Sequence, residues 1–249
     1  MSTPMNVTPK PLVLLLPGLL CDAAVWQDQI RLLEGRFECR VPDFGSCNTI
    51  TAMAELALAS AADAAFWLVG HSMGGRVALE VLRLAPRRVQ RLALLDTGYQ
   101  ALAGGAAGEQ EKAGRFALLE QARRDGMRSM GAAWARGMVH PMQCETPLFE
   151  TILDMIERRT PAIFEAQNAA LLSRPDAIPV LRSIQVATLV LCGRDDQWSP
   201  LARHEEIARL VPQARLRVID ECGHMATMEQ PAAVNAALSE WLSGPAHSH

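Results

Sequence analysis

Phe66-Trp67-Leu68-Val69-Gly70-His71-Ser72-Met73-Gly74-Gly75 joins two patterns. The first four residues are bulky and apolar, as in a buried strand. From Met73 to Leu84 the apolar residues recur at helical spacing, and the helix stops before Pro86. Between them Gly70-His71-Ser72-Met73-Gly74 fits G-x-S-x-G, the sharp strand-to-helix turn of a nucleophile elbow. So tight a turn strains the serine backbone and brings strand and helix together, which requires small residues two before and two after it. The turn lifts the Ser72 hydroxyl above the sheet edge and aims the helix N-terminus at it.

Outward from the elbow, short apolar runs alternate with helical segments, the pattern of a parallel sheet covered by helices. Strands are expected at Pro11–Leu16, Glu38–Val41, Phe66–Val69 and Val89–Leu95. Helices are expected at Ala23–Leu33, capped by Asp22, and at Ile50–Ala62, capped by Thr49. The rhythm changes at Gly98. Gly104–Gly108 leads into Arg115–Arg124, Met127–Met138, Pro147–Arg159, Pro161–Leu172 and Ala177–Arg182, all helical with no strand between. Two of these begin Thr-Pro, a cap and a first-turn proline. Alternation returns with strand Ala187–Cys192, helix Leu201–Leu210, strand Arg215–Ile219 and helix Ala232–Leu242; Ser243–His249 reads as a frayed tail. The expected fold is therefore α/β: a mostly parallel sheet of about six strands in a core of residues 1–97 and 184–249, interrupted by a helical cap insertion over 98–183.

Composition narrows the partners. The chain has 249 residues, 24 basic and 27 acidic, for a formal charge of −3. No Lys/Arg block suggests nucleic-acid binding, and no apolar stretch is long enough to span a bilayer. Leu12–Leu20 resembles a signal-peptide core ahead of Cys21, but Pro17-Gly18 interrupts it and bulky Leu20 sits where processing wants a small residue. It reads as a buried strand. The six cysteines, Cys21, Cys39, Cys47, Cys144, Cys192 and Cys222, show no CxxC pair and no metal-ligand spacing with histidine. A reduced, cytoplasmic setting without metal or cofactor is expected.

A serine hydroxyl needs a base to take its proton and a third group to orient that base. In this motif's chain order an acid comes next, then a histidine, each after a late strand. Gly193-Arg194-Asp195-Asp196 follows strand Ala187–Cys192, and Gly223-His224-Met225 follows strand Arg215–Ile219. Rivals have plainer roles. His71 packs in the elbow; His140 and His204 read as surface residues; His247 and His249 lie in the tail. Asp96 reads as a structural loop residue and Asp43 as a turn cap. Met127, Met130, Met138, Met142 and Met155 read chiefly as core packing, with some able to line an acyl pocket.

Leu14–Trp26, Gly70–Gly75, Gly193–Pro200 and Cys222–Pro231, taken in order, resemble the α/β-hydrolase superfamily, in its branch of small bacterial capped esterases and lactonases. The resemblance runs nearly the whole length. It implies Asp196 as the acid, three residues after the glycine and four before a proline, and His224 as the base for nucleophile Ser72. It also implies an oxyanion hole from the backbone N–H groups of Met73 and Leu19, although this chain has Pro17-Gly18 where most relatives have His-Gly. The short stretch before the first strand leaves no room for the superfamily's long N-terminal hairpin, and the loop after Asp43 is compact.

The implied activity is a serine-dependent carboxylesterase acting on esters of small or medium-sized molecules through an acyl-enzyme. Serine at the elbow disfavours the dehalogenase and epoxide hydrolase branches, which use aspartate. A lactonase, a thioesterase or a carbon–carbon bond hydrolase would keep the same triad. So would a lyase or synthase of the menaquinone-pathway kind, which holds acidic substrates with arginines. Arg76 and, in the insertion, Arg115, Arg123, Arg124, Arg128 and Arg136 are the candidates, most of them expected on solvated helix faces. The cap is expected to turn apolar side chains to the pocket and charged ones to solvent.

Overall fold

A computed structural model describes residues 10–244; His247, His249 and most of the expected tail lie outside the described residues. Six strands form one sheet: β1 (Leu12–Leu16), β2 (Glu38–Arg40), β3 (Phe66–His71), β4 (Val89–Leu95), β5 (Ala187–Gly193) and β6 (Arg215–Ile219). The order is β2-β1-β3-β4-β5-β6 and every pairing is parallel. Parallel strands covered on both faces read as unbroken apolar runs. Leu12–Leu16 is buried at all five positions, whereas edge strands β2 and β6 are half exposed and carry Glu38, Arg40, Arg215 and Arg217. Charge on the edges discourages pairing with another sheet.

Right-handed crossovers fix where the helices go. The path from β1 to β2 runs one way along the sheet, and every later step runs the other way. α1 (Gln27–Leu33) therefore sits on the opposite face from α2 (Ile50–Ser60), α3 (Met73–Leu84) and α9 (Leu201–Leu210). Consistently, α1 packs against the closing helix α11 (Pro231–Ser243), and α2 against α3. Between β4 and β5 the chain is helical: α4 (Gly105–Asp125), α5 (Met127–Trp134), α6 (Pro147–Glu157), α7 (Pro161–Leu172) and α8 (Ile178–Ser183). α10 (Ala226–Glu229) follows β6.

Several ends differ from the sequence reading. The first helix opens with a 3-10 turn, Ala23–Trp26, and α4 begins ten residues early, taking in the Gly/Ala-rich stretch. Alanine favours helix enough to offset the glycines there. Asp22, Thr49 and Thr160 cap their helices by accepting from Ala24, Ala52 and Ile163 N–H; Thr146 makes no side-chain cap. All six cysteines are free. Met127, Met130, Met138 and Met155 are core residues, while Met142 is 72% exposed.

Candidate active site

The strand order reverses direction between β1 and β3, so the loops leaving these strands diverge and open a crevice at their C-terminal ends. Pro17–Leu20 and the Ser72 turn both lie there. Backbone strain collects at the same edge: Leu20, Ser72 and Asp96 have φ of 60°, 53° and 47°. Ser72 N–H donates to the Leu95 carbonyl at 2.9 Å, and its own carbonyl accepts from Gly75 N–H at 3.0 Å and Thr97 Oγ1–H at 2.6 Å. A Cβ on Gly74 would collide with the Leu16 carbonyl, so glycine there lets α3 cross close over the end of β1.

Three side chains from three strand ends meet in one line. Ser72 Oγ lies 2.8 Å from His224 Nε2, and His224 Nδ1 lies 2.8 Å from Asp196 Oδ2. The other Asp196 oxygen accepts the N–H groups of Trp198 and Ser199 at 2.9 and 2.8 Å. Burial pushes the Asp196 carboxyl up, but His224 and these donors outweigh it and leave its pKa below the ordinary value. An anionic Asp196 fixes His224 as the Nδ1–H tautomer, leaving Nε2 free to accept the Ser72 proton. The Trp198 ring packs 5.3 Å from the His224 ring, centroid to centroid.

The histidine loop is gripped from two sides. Glu229 Oε1 accepts Met225 N–H at 2.9 Å; Oε2 accepts Gly223 N–H at 3.1 Å and His140 N–H at 2.7 Å. His224 N–H donates to the Met138 carbonyl at 2.6 Å. A Cβ on Gly223 would lie 2.6 Å from that same carbonyl, so only glycine admits the strand of insertion backbone over this loop. Likewise Gln167 of α7 accepts Leu20 N–H through Oε1 at 2.9 Å and donates from Nε2 to the Gly45 carbonyl at 3.1 Å. The insertion thus holds both the histidine loop and the loop after β1.

A cavity of about 450 Å³ opens on Ser72 and His224. Leu19 and Met73 line it. Leu118, Trp134, Phe164 and Leu171 of the insertion form an apolar wall. The expectation that the cap turns its charged side chains to solvent is corrected: Arg115, Arg174 and Glu111 of the insertion face this space, as do Arg76 and Arg203 of the core. The cause is the backbone at Gly98–Gln100, whose Gln100 carbonyl draws in Arg76 at 2.8 Å and Arg174 at 3.1 Å. Burial, then the charges of Arg174 and Arg203, lowers Arg76 to about 9. Arg123, Arg124, Arg128 and Arg136 lie on outer faces, paired with surface acids as expected.

His71 is buried, donates from Nε2 to the His224 carbonyl at 2.8 Å, and burial lowers it to about 4. Asp96 accepts Gly193 N–H at 2.9 Å; burial, then the charge of Asp196, raises its carboxyl well above the ordinary range. Asp43 accepts Gly45 N–H and also pairs with Arg159. His204 is not a surface residue. It is fully buried, because its Nε2 accepts Thr97 N–H at 2.9 Å beneath the elbow. His140 is partly buried, with Nε2 3.8 Å from Asp195 Oδ2, and Arg194 pairs with Asp220. Glu229, Gln167, Arg174 and Arg203 were not anticipated. Glu229 had a signal, since it closes the Cys222–Pro231 motif ahead of a proline-led helix. Gln167 had none.

Among the described residues, no helix is long and apolar enough to cross a membrane, and no group of three His, Cys, Asp or Glu side chains could hold a metal.

Comparison with known proteins gives a consistent picture. A family model described as alpha/beta hydrolase family matches residues 13–237. The chain is 28% identical over 211 residues to the 2-succinyl-6-hydroxy-2,4-cyclohexadiene-1-carboxylate synthase of Klebsiella pneumoniae, covering 84% of this chain and 79% of the synthase. A thermophilic esterase from Thermogutta terrifontis, solved with malate bound, superposes with a TM-score of 0.81 at 29% identity, over 94% of this chain and 90% of the esterase. The enol-lactonase of Burkholderia xenovorans LB400 shares the fold, with a TM-score of 0.81 at 20% identity, over 96% and 94%.

Proposed function

The chain belongs to the alpha/beta hydrolase family, and within it we propose a serine hydrolase that cleaves carboxylic esters of small or medium-sized molecules bearing negative charge. The observation that carries this reading is the unbroken line Ser72–His224–Asp196, with both contacts at 2.8 Å, opening on an arginine-lined cavity. The helical insertion serves as the cap.

In the reaction, Ser72 Oγ attacks the ester carbonyl carbon as His224 Nε2 takes its proton. Negative charge develops on the carbonyl oxygen, where the N–H groups of Leu19 and Met73 receive it. Met73 is the first residue of α3, so its N–H has no partner within the helix. The tetrahedral intermediate collapses, the ester C–O bond breaks, and His224 gives its proton to the leaving alcohol. Water then attacks the acyl-enzyme with His224 again as base, releasing the acid and restoring Ser72. Asp196 stabilises the imidazolium in both halves.

The similar esterase supports ester cleavage, and its structure holds malate, an anionic ligand. The same arginines favour one second reading, a lyase or synthase using the same triad, as the 28% identical synthase suggests. A fluorophosphonate probe should label Ser72 alone, and Ser72→Ala should prevent labelling; an adduct on another serine would overturn the assignment. A pH-stat panel of neutral and carboxylate-bearing esters, a lactone and a thioester separates the readings. Acid release from the anionic esters is expected. Ser72 labelling without any acid release would favour the lyase or synthase.

A further inference from the structure

The charged side of the cavity is not uniform. Glu111, on α4, sits among the arginines and engages two of them. Arg174 Nη1 and Nη2 grip its two carboxylate oxygens at 2.8 Å each, and Arg115 Nε adds a contact at 3.0 Å. Burial alone would raise the Glu111 carboxyl, but Arg174 and Arg115 prevail and hold it at about 2. It is therefore an anion at neutral pH, and a forked guanidinium already bound to both oxygens of a carboxylate has little left to offer a second. Arg76 and Arg203 differ. Among the described residues neither forms an ion pair; their recorded acceptors are the backbone carbonyls of Gln100 and Trp198. The lining thus divides into a pair of arginines that share the Glu111 carboxylate and a pair with no carboxylate partner.

We propose that Glu111 is a specificity-determining residue: it occupies Arg174 and Arg115, leaves Arg76 and Arg203 as the one open carboxylate seat, and so selects substrates with a single carboxylate over those with two. The inference rests on the anionic-substrate reading above and adds the number of charges accepted. A second carboxylate entering the cavity meets Glu111 directly and must either displace it from Arg174 or lie beside it, like charge against like charge. Removing the Glu111 charge frees two guanidiniums and reverses the preference.

Binding to the Ser72→Ala protein tests this without reference to which bond is cleaved. Calorimetry would compare monomethyl glutarate, with one carboxylate, and the monomethyl ester of tricarballylate, with two. With Glu111 present, the monoacid should bind at least about tenfold tighter. In Ser72→Ala/Glu111→Gln the diacid should gain about tenfold or more while the monoacid changes less than about threefold. Adding Arg76→Gln should remove monoacid binding where Glu111 is present, since Arg174 and Arg115 are then held by its carboxylate and cannot take over. Tighter diacid binding with Glu111 in place overturns the proposal, and that measurement stands even where the glutamine variant fails to fold. Equal gains for both acids also overturn it. The expected binding pattern in a protein that hydrolyses no ester would uphold the role of Glu111 and sink only the ester reading.

Discussion

Glu229 and His224 stand five residues apart, and the carboxylate of the first accepts the backbone N–H on each side of the second, at 3.1 Å from Gly223 and 2.9 Å from Met225. The third bond, from His140 N–H, reaches into the insertion. All three partners are donors, so the site suits an ionised carboxylate even though burial raises its pKa. Catalytic geometry tolerates little drift in the base, and this clamp fixes the backbone that carries it.

Glu229→Gln keeps the shape but turns one acceptor into an N–H₂ group facing N–H donors. A buried donor left unpaired costs about 1–3 kcal/mol. The variant should therefore melt lower and react with the fluorophosphonate probe about tenfold more slowly than the unaltered protein at a temperature where both remain folded. An unchanged labelling rate would mean that the loop holds His224 without the clamp.

Gln167→Leu tests the other grip of the insertion. It strips the buried Leu20 N–H and the Gly45 carbonyl of their partner, at about 1–3 kcal/mol for a group left unsatisfied. Leu19 precedes Leu20 directly, so its oxyanion N–H should lose alignment. The expected signature is a fall in kcat of about tenfold or more with little change in KM, since the oxyanion forms only after binding. A loss confined to KM would place the role of Gln167 in substrate binding instead.

How far the sequence foretold the structure depended on whether a feature was local. Strand Leu12–Leu16 shows in its apolar run, and Ser72 in glycines at fixed offsets. Asp196 and His224 were legible because each follows a late strand in the order that the motif demands. His204 was misjudged because one face of α9 covers the elbow, and only the contact with Thr97 N–H reveals it. The charged cavity was legible only in part, for a related reason. Arg76 and Arg115 stand among the candidates to hold an acidic substrate, but Glu111, Arg174 and Arg203 lie far apart in sequence, and each on its own helix or loop reads as an ordinary solvated side chain. Their meeting depends on how α4 and the Gly98–Gln100 backbone pack, which no local pattern encodes.

Two buried histidines predict how stability changes with pH. His71 and His204 are each lowered by burial, to about 4 from 6.5. In the unfolded chain they take up a proton near pH 6.5; in the folded protein they resist it until about pH 4. Between these values the unfolded state binds more protons, so stability is full above about 6.5 and falls as the pH drops towards 4, by up to about 3 kcal/mol for each histidine. Glu111 has the carboxylate version in a lower window, losing its contribution as the pH falls from 4.5 towards about 2. Urea unfolding at about pH 7.5 and about pH 5 should show this drop, and His204→Gln should reduce the proton uptake on unfolding by about one. The raised carboxyls of Asp96 and Glu229 act with the opposite sign in this window, so the decisive reading is the difference: a drop no smaller in His204→Gln than in the unaltered protein would show that His204 is not held neutral.

Asp195 and Asp196 are adjacent carboxylates with different surroundings. Asp196 is buried, with one oxygen on His224 Nδ1 and the other on the Trp198 and Ser199 N–H groups. Asp195 is 45% exposed, its side chain 3.8 Å from His140 Nε2, a contact worth at most about 1 kcal/mol at such a surface. Asn at 196 retains the volume and can still accept from the two backbone donors, so the fold should survive. Its amide, however, would present N–H to Nδ1 and favour the tautomer that points a proton at Ser72. The equivalent change in a comparable triad lowers turnover about 10⁴-fold, and Asp196→Asn should do the same. Asp195→Asn should stay within about threefold of the unaltered rate, since no bond to the triad is lost. Circular dichroism would first establish that both variants are folded, and kcat on one carboxylate-bearing ester would then be compared. The reverse ranking would move the acid by one residue. Losses below tenfold in both variants would point to Asp96, whose free Oδ2 lies buried 3.8 Å from His71 Nε2.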